Sequence, residues 1–246
     1  MRVLELFSGT CSVGKVCTEL GYETVSVDIE MPATHKVDIM EFDYKQYPKD
    51  YFDIVWASPP CQSYSSLQRS FYGRIRKNEL FSKEKHMALQ DAADKLVLKA
   101  LEIIKYFNPK YWFLENPATG NLKNRDIMTN INYYDYDYCK YSNWGYKKRT
   151  RFWTNRTDLE PKLCKNDCEN MFNSSQFNSS QKIHKKRIGV SKTVVDNGKV
   201  IFCCSKAKRE KYKDYENIQK KGNDISTTLH ERYRIPRKII IDLFKS

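Results

Sequence analysis

The chain has 246 residues, 40% of them hydrophobic and 13% aromatic, with a net charge of +13. That apolar content suits a globular fold and excludes a disordered chain, and no stretch approaches the roughly 20 apolar residues of a membrane span. Eight scattered cysteines in so long a chain suit reduced thiols, and the opening Val3-Leu4-Glu5-Leu6-Phe7 shows no leader pattern, so an intracellular protein is expected. The charge is uneven. Residues 140–221 hold 21 Lys and Arg against 8 Asp and Glu, whereas the remainder balances at 22 of each. A lysine-rich codon bias would inflate lysine throughout, so a polyanionic partner met by that third of the chain is the better reading. Richness in Asn, Lys and Tyr points to an AT-rich genome, viral or microbial.

Residues 2–7 read as a strand ending in Phe7-Ser8-Gly9-Thr10-Cys11-Ser12-Val13-Gly14, with Lys15 to Leu20 continuing as a helix. A strand, a glycine turn and a helix let backbone approach a ligand at the helix N-terminus. Val25 to Asp28 is a second strand whose terminal acid is placed to hold ribose hydroxyls. Val37-Asp38-Ile39 is a third strand end with a carboxylate, and the three tips together suit an adenosine ligand. Asp53 to Ala57 reads as a buried strand that breaks at Pro59-Pro60, because neither proline can donate to a ladder. Cys61 follows at once. Ligands bind outside the carboxyl ends of the strands in open parallel sheets, so Cys61 is a candidate nucleophile in preference to a structural thiol.

Ser63 to Lys85 has no clean periodicity and carries Arg69, Arg74, Arg76 and Lys77 beside Tyr64, Phe71 and Tyr72, which predicts a mobile lid. Met87 to Phe107 is a predicted helix with an apolar stripe from Ala93 to Ile104. Tyr111 to Leu114 is a buried strand running into Glu115-Asn116-Pro117. Gly145 to Asn155 is basic, and alternation puts Arg149 and Arg151 on one strand face. Residues 156–221 have little regular pattern, and Phe172 to Gln176 repeats immediately as 177–181, a solvated insertion. Ile235 to Phe244 is a closing helix with Pro236 near its start. Cys164-x-x-x-Cys168, His184 and Cys203-Cys204 leave two readings open, a zinc site or plain thiols, and the loose spacing favours thiols. His35, His86 and His230 are read as ordinary histidines. The alternation of strands and helices predicts an α/β fold, a doubly wound and mostly parallel sheet, with a small irregular region attached.

With Cys61 after Pro-Pro and Glu115-Asn116 at the next strand end, the chain resembles the cytosine-C5 DNA methyltransferases, well over residues 1–155 and loosely over 222–244. Leu6-Phe7-Ser8-Gly9 resembles the family's S-adenosylmethionine turn, Ser58 to Ser63 its nucleophile motif, Glu115-Asn116 its glutamate motif, and Gly145 to Arg151 its paired-arginine motif. Cys11 stands where a glycine is usual, Lys147 where a glutamine is, and Pro117 where valine is common. The resemblance implies a Rossmann-like methyltransferase: a catalytic domain over 1–155, a short basic target-recognition region over 156–221, and a segment over 222–246 returning to the catalytic domain. It implies S-adenosylmethionine held by Phe7, Ser8, Gly9, Asp28, Ile29, Asp38, Ile39, Pro60 and Asn223. The substrate implied is double-stranded DNA with the target cytosine flipped out, RNA being the alternative, and the chain is expected to act as a monomer away from membranes. Cys61 would add to C6, Glu115 would meet the N3 edge, and Arg151, with Arg149, would hold the base carbonyl. A catalytically inactive nucleic-acid-binding homologue is the remaining alternative, and the intact pair of Cys61 and Glu115 argues against it.

Overall fold

A computed structural model describes residues 1–76, 78–171, 184–186, 188, 193–196, 199–202, 223–224 and 229–245. Lys77, the repeat at 172–181 and Cys203-Cys204 lie outside the described residues. The chain divides into two units. The first comprises Met1–Tyr136, Arg149–Pro161 and Ile239–Ser246, and the second Asp137–Lys148 and Lys162–Lys238.

The first unit is built on a sheet of seven strands: β1 (Arg2–Leu6), β2 (Glu23–Asp28), β3 (His35–Lys36), β4 (Ile54–Ala57), β7 (Tyr111–Pro117), β8 (Tyr133–Asp137) and β9 (Arg149–Thr154). Their spatial order is β3-β2-β1-β4-β7-β9-β8. Strands β3, β2, β1, β4 and β7 pair in parallel, and β9 runs antiparallel to β7. The sheet is therefore mostly parallel, as the sequence predicts. Chain order reverses at β1, with β2 and β3 added on one side and β4 and β7 on the other. Such a reversal opens a crevice at the carboxyl ends of the central strands, which lead into residues 7–11, 58–61 and 115–118.

Alternation assigns the side chains to faces. Leu4, Leu6, Val55, Ala57, Leu114 and Trp153 join Val97, Ala100, Ile103, Ile104 and Phe107 of helix α2 (Lys83–Phe107) in the main apolar core. On the other face Trp56 meets Phe113, Phe152 and Phe244, with ring centroids 5.5–6.1 Å apart. Phe244 belongs to helix α4 (Arg237–Phe244), which follows the short helix α3 (Leu229–Tyr233). Arg156, 6% exposed, holds the end of α4. Its guanidinium donates to the carbonyl of Leu243 at 2.9 Å and to that of Lys245, and it pairs with Asp158.

Boundaries move where a side chain captures backbone. The third strand lies at His35–Lys36, ahead of Val37–Ile39, because Asp38 Oδ1 accepts the Met40 N–H at 2.9 Å and turns the chain out of the ladder. Helix α1 (Ser12–Glu19) begins at Ser12. Helix α2 starts at Lys83, before its apolar stripe, since Ser82 Oγ accepts the Lys85 N–H at 3.1 Å. Residues 63–82 are not a structureless loop: Ser66–Phe71 forms a 3-10 turn, and β5 (Arg74–Arg76) and β6 (Glu79–Phe81) pair as a hairpin around buried Phe81. Within 156–221 the second unit carries β10 (Thr193–Asp196) and β11 (Lys199–Phe202), and β10 also pairs with β12 (Asn223–Asp224).

Replacing Arg156 by alanine strands two carbonyls at the end of α4 and leaves a hole in the sheet's second face. Chemical unfolding of Arg156→Ala should show a loss of about 2–4 kcal/mol, which Arg156→Lys recovers only in part.

Candidate active site

The turn after β1 is strained. Phe7, Gly9 and Cys11 all have positive φ, at 58°, 47° and 54°. Left-handed backbone is free to glycine but costs a residue with a Cβ about 1–2 kcal/mol. Cys11 thus adopts the conformation that a glycine would supply. The turn is held by Asp28 at the end of β2, whose carboxylate accepts the N–H groups of Gly9 (2.8 Å), Glu30 (2.9 Å) and Met31 (2.8 Å). Ser8 Oγ is buried there, with the Cys11 thiol as its side-chain neighbour. Ile29 beside it is 59% exposed, whereas the Ile39 side chain is 4% exposed and belongs to the core, so only its backbone can face a ligand.

Glu5 carries a role that its place inside a buried strand does not announce. It is 3% exposed, and its two carboxylate oxygens accept the Val13 (3.3 Å) and Gly14 (3.0 Å) N–H groups in the first turn of α1. Burial outweighs those bonds and raises the carboxyl to about 7. The signal available in sequence is an acid in the apolar run Val3 to Phe7.

The second rim of the crevice carries Cys61. The Ser58 N–H donates to the Leu6 carbonyl at 3.1 Å, which ties the end of β4 to β1. Asn116, fully buried in β7, donates from Nδ2 to the Pro59 carbonyl at 3.0 Å, which ties the proline corner to β7. Ala57 pairs with Leu114, so the residue after Ala57 lies beside Glu115. Cys61, just past β4, and Glu115, within β7, accordingly lie toward the carboxyl ends of neighbouring parallel strands, Cys61 half-buried and Glu115 7% exposed. Pro60, between Pro59 and Cys61, is exposed. Below the corner the Tyr64 N–H donates to the Cys61 carbonyl, and the Tyr64 carbonyl accepts the Asn121 N–H at 2.7 Å. The buried Tyr64 hydroxyl donates to Asp94 on α2 at 2.7 Å, and Arg125 donates to the other Asp94 oxygen at 2.8 Å. A Cβ on Gly120 would come within 3.1 Å of the Pro117 carbonyl, so a larger residue here would have to push that backbone aside by a few tenths of an ångström.

The two arginines differ in position and contacts. Arg151 pairs across the strands with Asn116 and is committed to Asp135 by two bonds of 2.8 and 3.0 Å, with its guanidinium 3.5 Å from the Tyr133 ring centroid. Arg149 sits at the start of β9, where its carbonyl accepts the Ala118 N–H, nearer the rim. Asn223 lies in β12, opposite Val195. His86 is no surface histidine. It is 4% exposed, and its Nε2 lies 2.9 Å from the Ser63 carbonyl, which can only accept, so Nε2 carries a proton, while Nδ1 lies 2.8 Å from the Tyr72 hydroxyl. It thereby links both ends of the 63–72 segment to α2.

In the second unit Cys164, Cys168 and His184 do converge, and the fourth member is Cys139, which the sequence reading leaves unassigned. Its distance of 25 residues from Cys164 hides it, because no short spacing marks the pair.

A family model for the C-5 cytosine-specific DNA methylase matches residues 27–239. The chain belongs to this family. Cytosine C5 in DNA is the atom such enzymes methylate. The chain is also 43% identical over 175 residues to the "Probable DNA (cytosine-5)-methyltransferase" of Frog virus 3 (isolate Goorha), covering 70% of this chain and 79% of that one. Among solved structures it is similar to an Entamoeba histolytica methyltransferase, with TM-score 0.48 and 16% identity over 74% of this chain and 61% of that chain. It therefore spans about three fifths of that protein's length. No helix among the described residues is long and apolar enough to cross a membrane.

Two outcomes follow for the methylase. Asn116→Ala releases the Pro59 carbonyl and should lower methyl transfer by roughly 10- to 100-fold with the far-ultraviolet circular dichroism unchanged; Asn116→Asp, which sets a carboxylate against that carbonyl, should be worse. For Glu5, whose ordinary value is 4.5, the folded chain keeps a proton up to about 7 that the unfolded chain gives up earlier. Stability from this group is whole below about 4.5 and lost as pH climbs through 7. The melting-temperature difference between Glu5→Gln and the parent should therefore shift in the variant's favour as pH rises across that window.

Proposed function

We propose that the chain transfers a methyl group from S-adenosylmethionine to C5 of a cytosine flipped out of double-stranded DNA, through a covalent bond between Cys61 and C6. The observation that carries this reading is the Asn116–Pro59 bond of 3.0 Å, which fixes the cysteine corner over the strand end bearing Glu115. The turn after β1 fits the cofactor. Ser8 Oγ is a buried polar atom with no nitrogen or oxygen partner of its own, Asp28 is an acid at the neighbouring strand tip, and Ile29 offers an exposed apolar surface for a base. Phe7, Ser8, Gly9, Asp28, Ile29 and Asp38, with the backbone of Ile39 and with Pro60, are the residues of the first unit assigned to hold it. S-adenosylmethionine supplies the methyl electrophile when bound.

The residues of the chain do the rest. The Cys61 thiolate adds to C6, the C5–C6 double bond opens, and the Glu115 carboxyl delivers a proton to N3, leaving an enamine whose C5 is nucleophilic. After C5 is methylated, a base from solvent removes the C5 proton, the C6–S bond breaks, and N3 returns its proton to Glu115. Arg149 at the rim meets the base carbonyl, and Arg151, clamped by Asp135, orients the strand that presents it. The 63–82 hairpin closes over the extruded base, with Ile75, 77% exposed, as an apolar wedge toward the vacated stack. The excess of positive charge over residues 140–221 supplies phosphate affinity.

Transfer of labelled methyl to duplex DNA, with RNA as the comparison, tests the substrate class. Duplex carrying 5-fluorocytosine tests the chemistry, because fluorine cannot leave C5 as a cation and the adduct is trapped. The expected result is a denaturant-stable protein–DNA complex with the parent enzyme, none with Cys61→Ala, and a fall in turnover of roughly a thousandfold or more. Methylation that survives Cys61→Ala would sink the covalent step, and labelling of RNA alone would move the substrate class.

A further inference from the structure

The geometry points to a structural zinc site in the second unit, with Cys139, Cys164, Cys168 and His184 as its four ligands. The four ligand atoms, three sulfurs and an imidazole nitrogen, all lie within 4.8 Å of one another. His184 Nε2 is 3.6 Å from Cys164 Sγ and 3.3 Å from Cys168 Sγ. Zinc bonds of about 2.3 Å to sulfur and about 2.0–2.1 Å to nitrogen give a tetrahedron whose sulfur–nitrogen edge is about 3.5 Å and whose sulfur–sulfur edge is about 3.8 Å. The two sulfur–nitrogen separations match that edge, and the 4.8 Å span of the cluster needs only a small contraction to close around the ion, whereas a disulfide would bring two sulfurs to about 2.05 Å. All three cysteines are thiols. Soft sulfur with imidazole selects zinc over the oxygen-seeking cations, and a set of four protein ligands leaves no open position for catalysis.

The surroundings are built to hold the ligands. Cys164 to Cys168 form a tight turn in which Asn166 has positive φ (63°), and the backbone N–H groups of Asn166 and Asp167 turn toward the Cys164 sulfur, that of Asn170 toward Cys168. Asp137, fully buried, accepts the Cys164 N–H at 2.8 Å, and Lys147 donates to the Cys164 carbonyl at 2.8 Å. Asn170 ties the turn bearing Cys139 to that knuckle, donating to the carbonyls of Cys139 (2.8 Å) and Ser142 (2.7 Å) and accepting the Gly145 N–H (3.0 Å). His184 is set against the knuckle by its bridge with Met171. Outer partners of this kind fix ligand orientation. Three thiolates around a dication leave one negative charge; Lys147, 3.5 Å from Asp137, and Lys140, paired with Asp167, are the cations beside it.

A staple suits what is described of the second unit. None of its described residues belongs to the main apolar core, and small units without one are held by metals or cross-links. Zinc here joins three stretches of chain, around residues 139, 164–168 and 184.

Metal analysis of the full chain after exhaustive dialysis should find one zinc per molecule. Replacement by Co²⁺ should give sulfur-to-cobalt charge-transfer bands and the intense visible d–d bands of tetrahedral coordination. Cys139→Ser should weaken zinc retention by 100-fold or more, while Cys17→Ala, outside the cluster, keeps full stoichiometry. The cobalt spectrum of the parent protein decides the matter even where Cys139→Ser fails to fold. A zinc-free protein with an ordered second unit, an octahedral cobalt spectrum, or a Cys164–Cys168 disulfide by thiol counting would overturn the assignment. None of these readouts depends on methyl transfer, so they stand apart from the proposed activity.

Discussion

The crevice depends on a carbonyl that the sheet cannot satisfy. Beyond Ala57 the ladder ends, and two prolines in succession offer no N–H with which to turn the chain back into it. The Pro59 carbonyl would be left buried and unpaired, and it is instead taken by the Asn116 side chain from the neighbouring strand. Net of lost hydration such a bond contributes only about 1 kcal/mol, yet it converts a stiff corner into a fixed one. Its second anchor is Tyr64, three residues past Cys61, whose hydroxyl reaches Asp94 on α2 and whose backbone binds both Cys61 and Asn121. The sulfur is thus referenced to β1, β7 and α2 at once, and a displacement of about 1 Å suffices to slow a reaction 100-fold.

On the other side of the reversal the backbone, not the side chains, bears the burden. Left-handed conformations at Phe7 and Cys11 cost about 1–3 kcal/mol each, and they persist only where the surroundings over-determine them. Asp28 does this from β2 with three amide contacts, and Glu5 does it from β1 through α1. Since Asp28 is occupied by backbone, its charge faces a ligand only through its exposed edge. A buried carboxyl at about 7 beneath the same turn means that the field at this site changes close to neutral pH.

What could be read from the chain was whatever two prolines, an alternating strand or an apolar stripe announce. The five parallel strands, helix α2 and the placing of Cys61 and Glu115 at adjacent strand ends follow from such local patterns. The boundaries escaped where a side chain overrode periodicity, as Asp38 did for β3 and Ser82 for α2. The fixing residues escaped for another reason. Tyr64, Asp94 and Arg125 are ordinary types whose meaning is their mutual contact, 30 and 31 residues apart in sequence. Arg151 was legible as a cation on a strand face, but not as one clamped by Asp135 from β8. Cys139 is the sharpest case, since neither type nor spacing distinguishes it from Cys17, which is simply a thiol packed inside α1.

The second unit inverts the logic of the first. Its sequence is rich in cations over 140–221, and cations that bind phosphates have to remain near solvent, so they cannot supply an apolar core. Its buried members among the described residues are instead aromatics with a polar end, Tyr138, Tyr141 and Tyr146, together with Cys139, Cys164 and Ile235. Tyr146 gives its hydroxyl to the Glu231 carbonyl at 2.5 Å, and Lys148 donates to that of Arg232 at 3.0 Å, so even α3 is fastened by polar contacts. Order built from hydrogen bonds alone is weakly favourable in water, each bond netting about 0.5–1.5 kcal/mol against a similar loss of backbone freedom per residue. A surface charged for a polyanion and, among the described residues, few buried aliphatic side chains are therefore one design problem, and a cluster of thiols and imidazole tightened around a cation is a solution that consumes no exposed lysine.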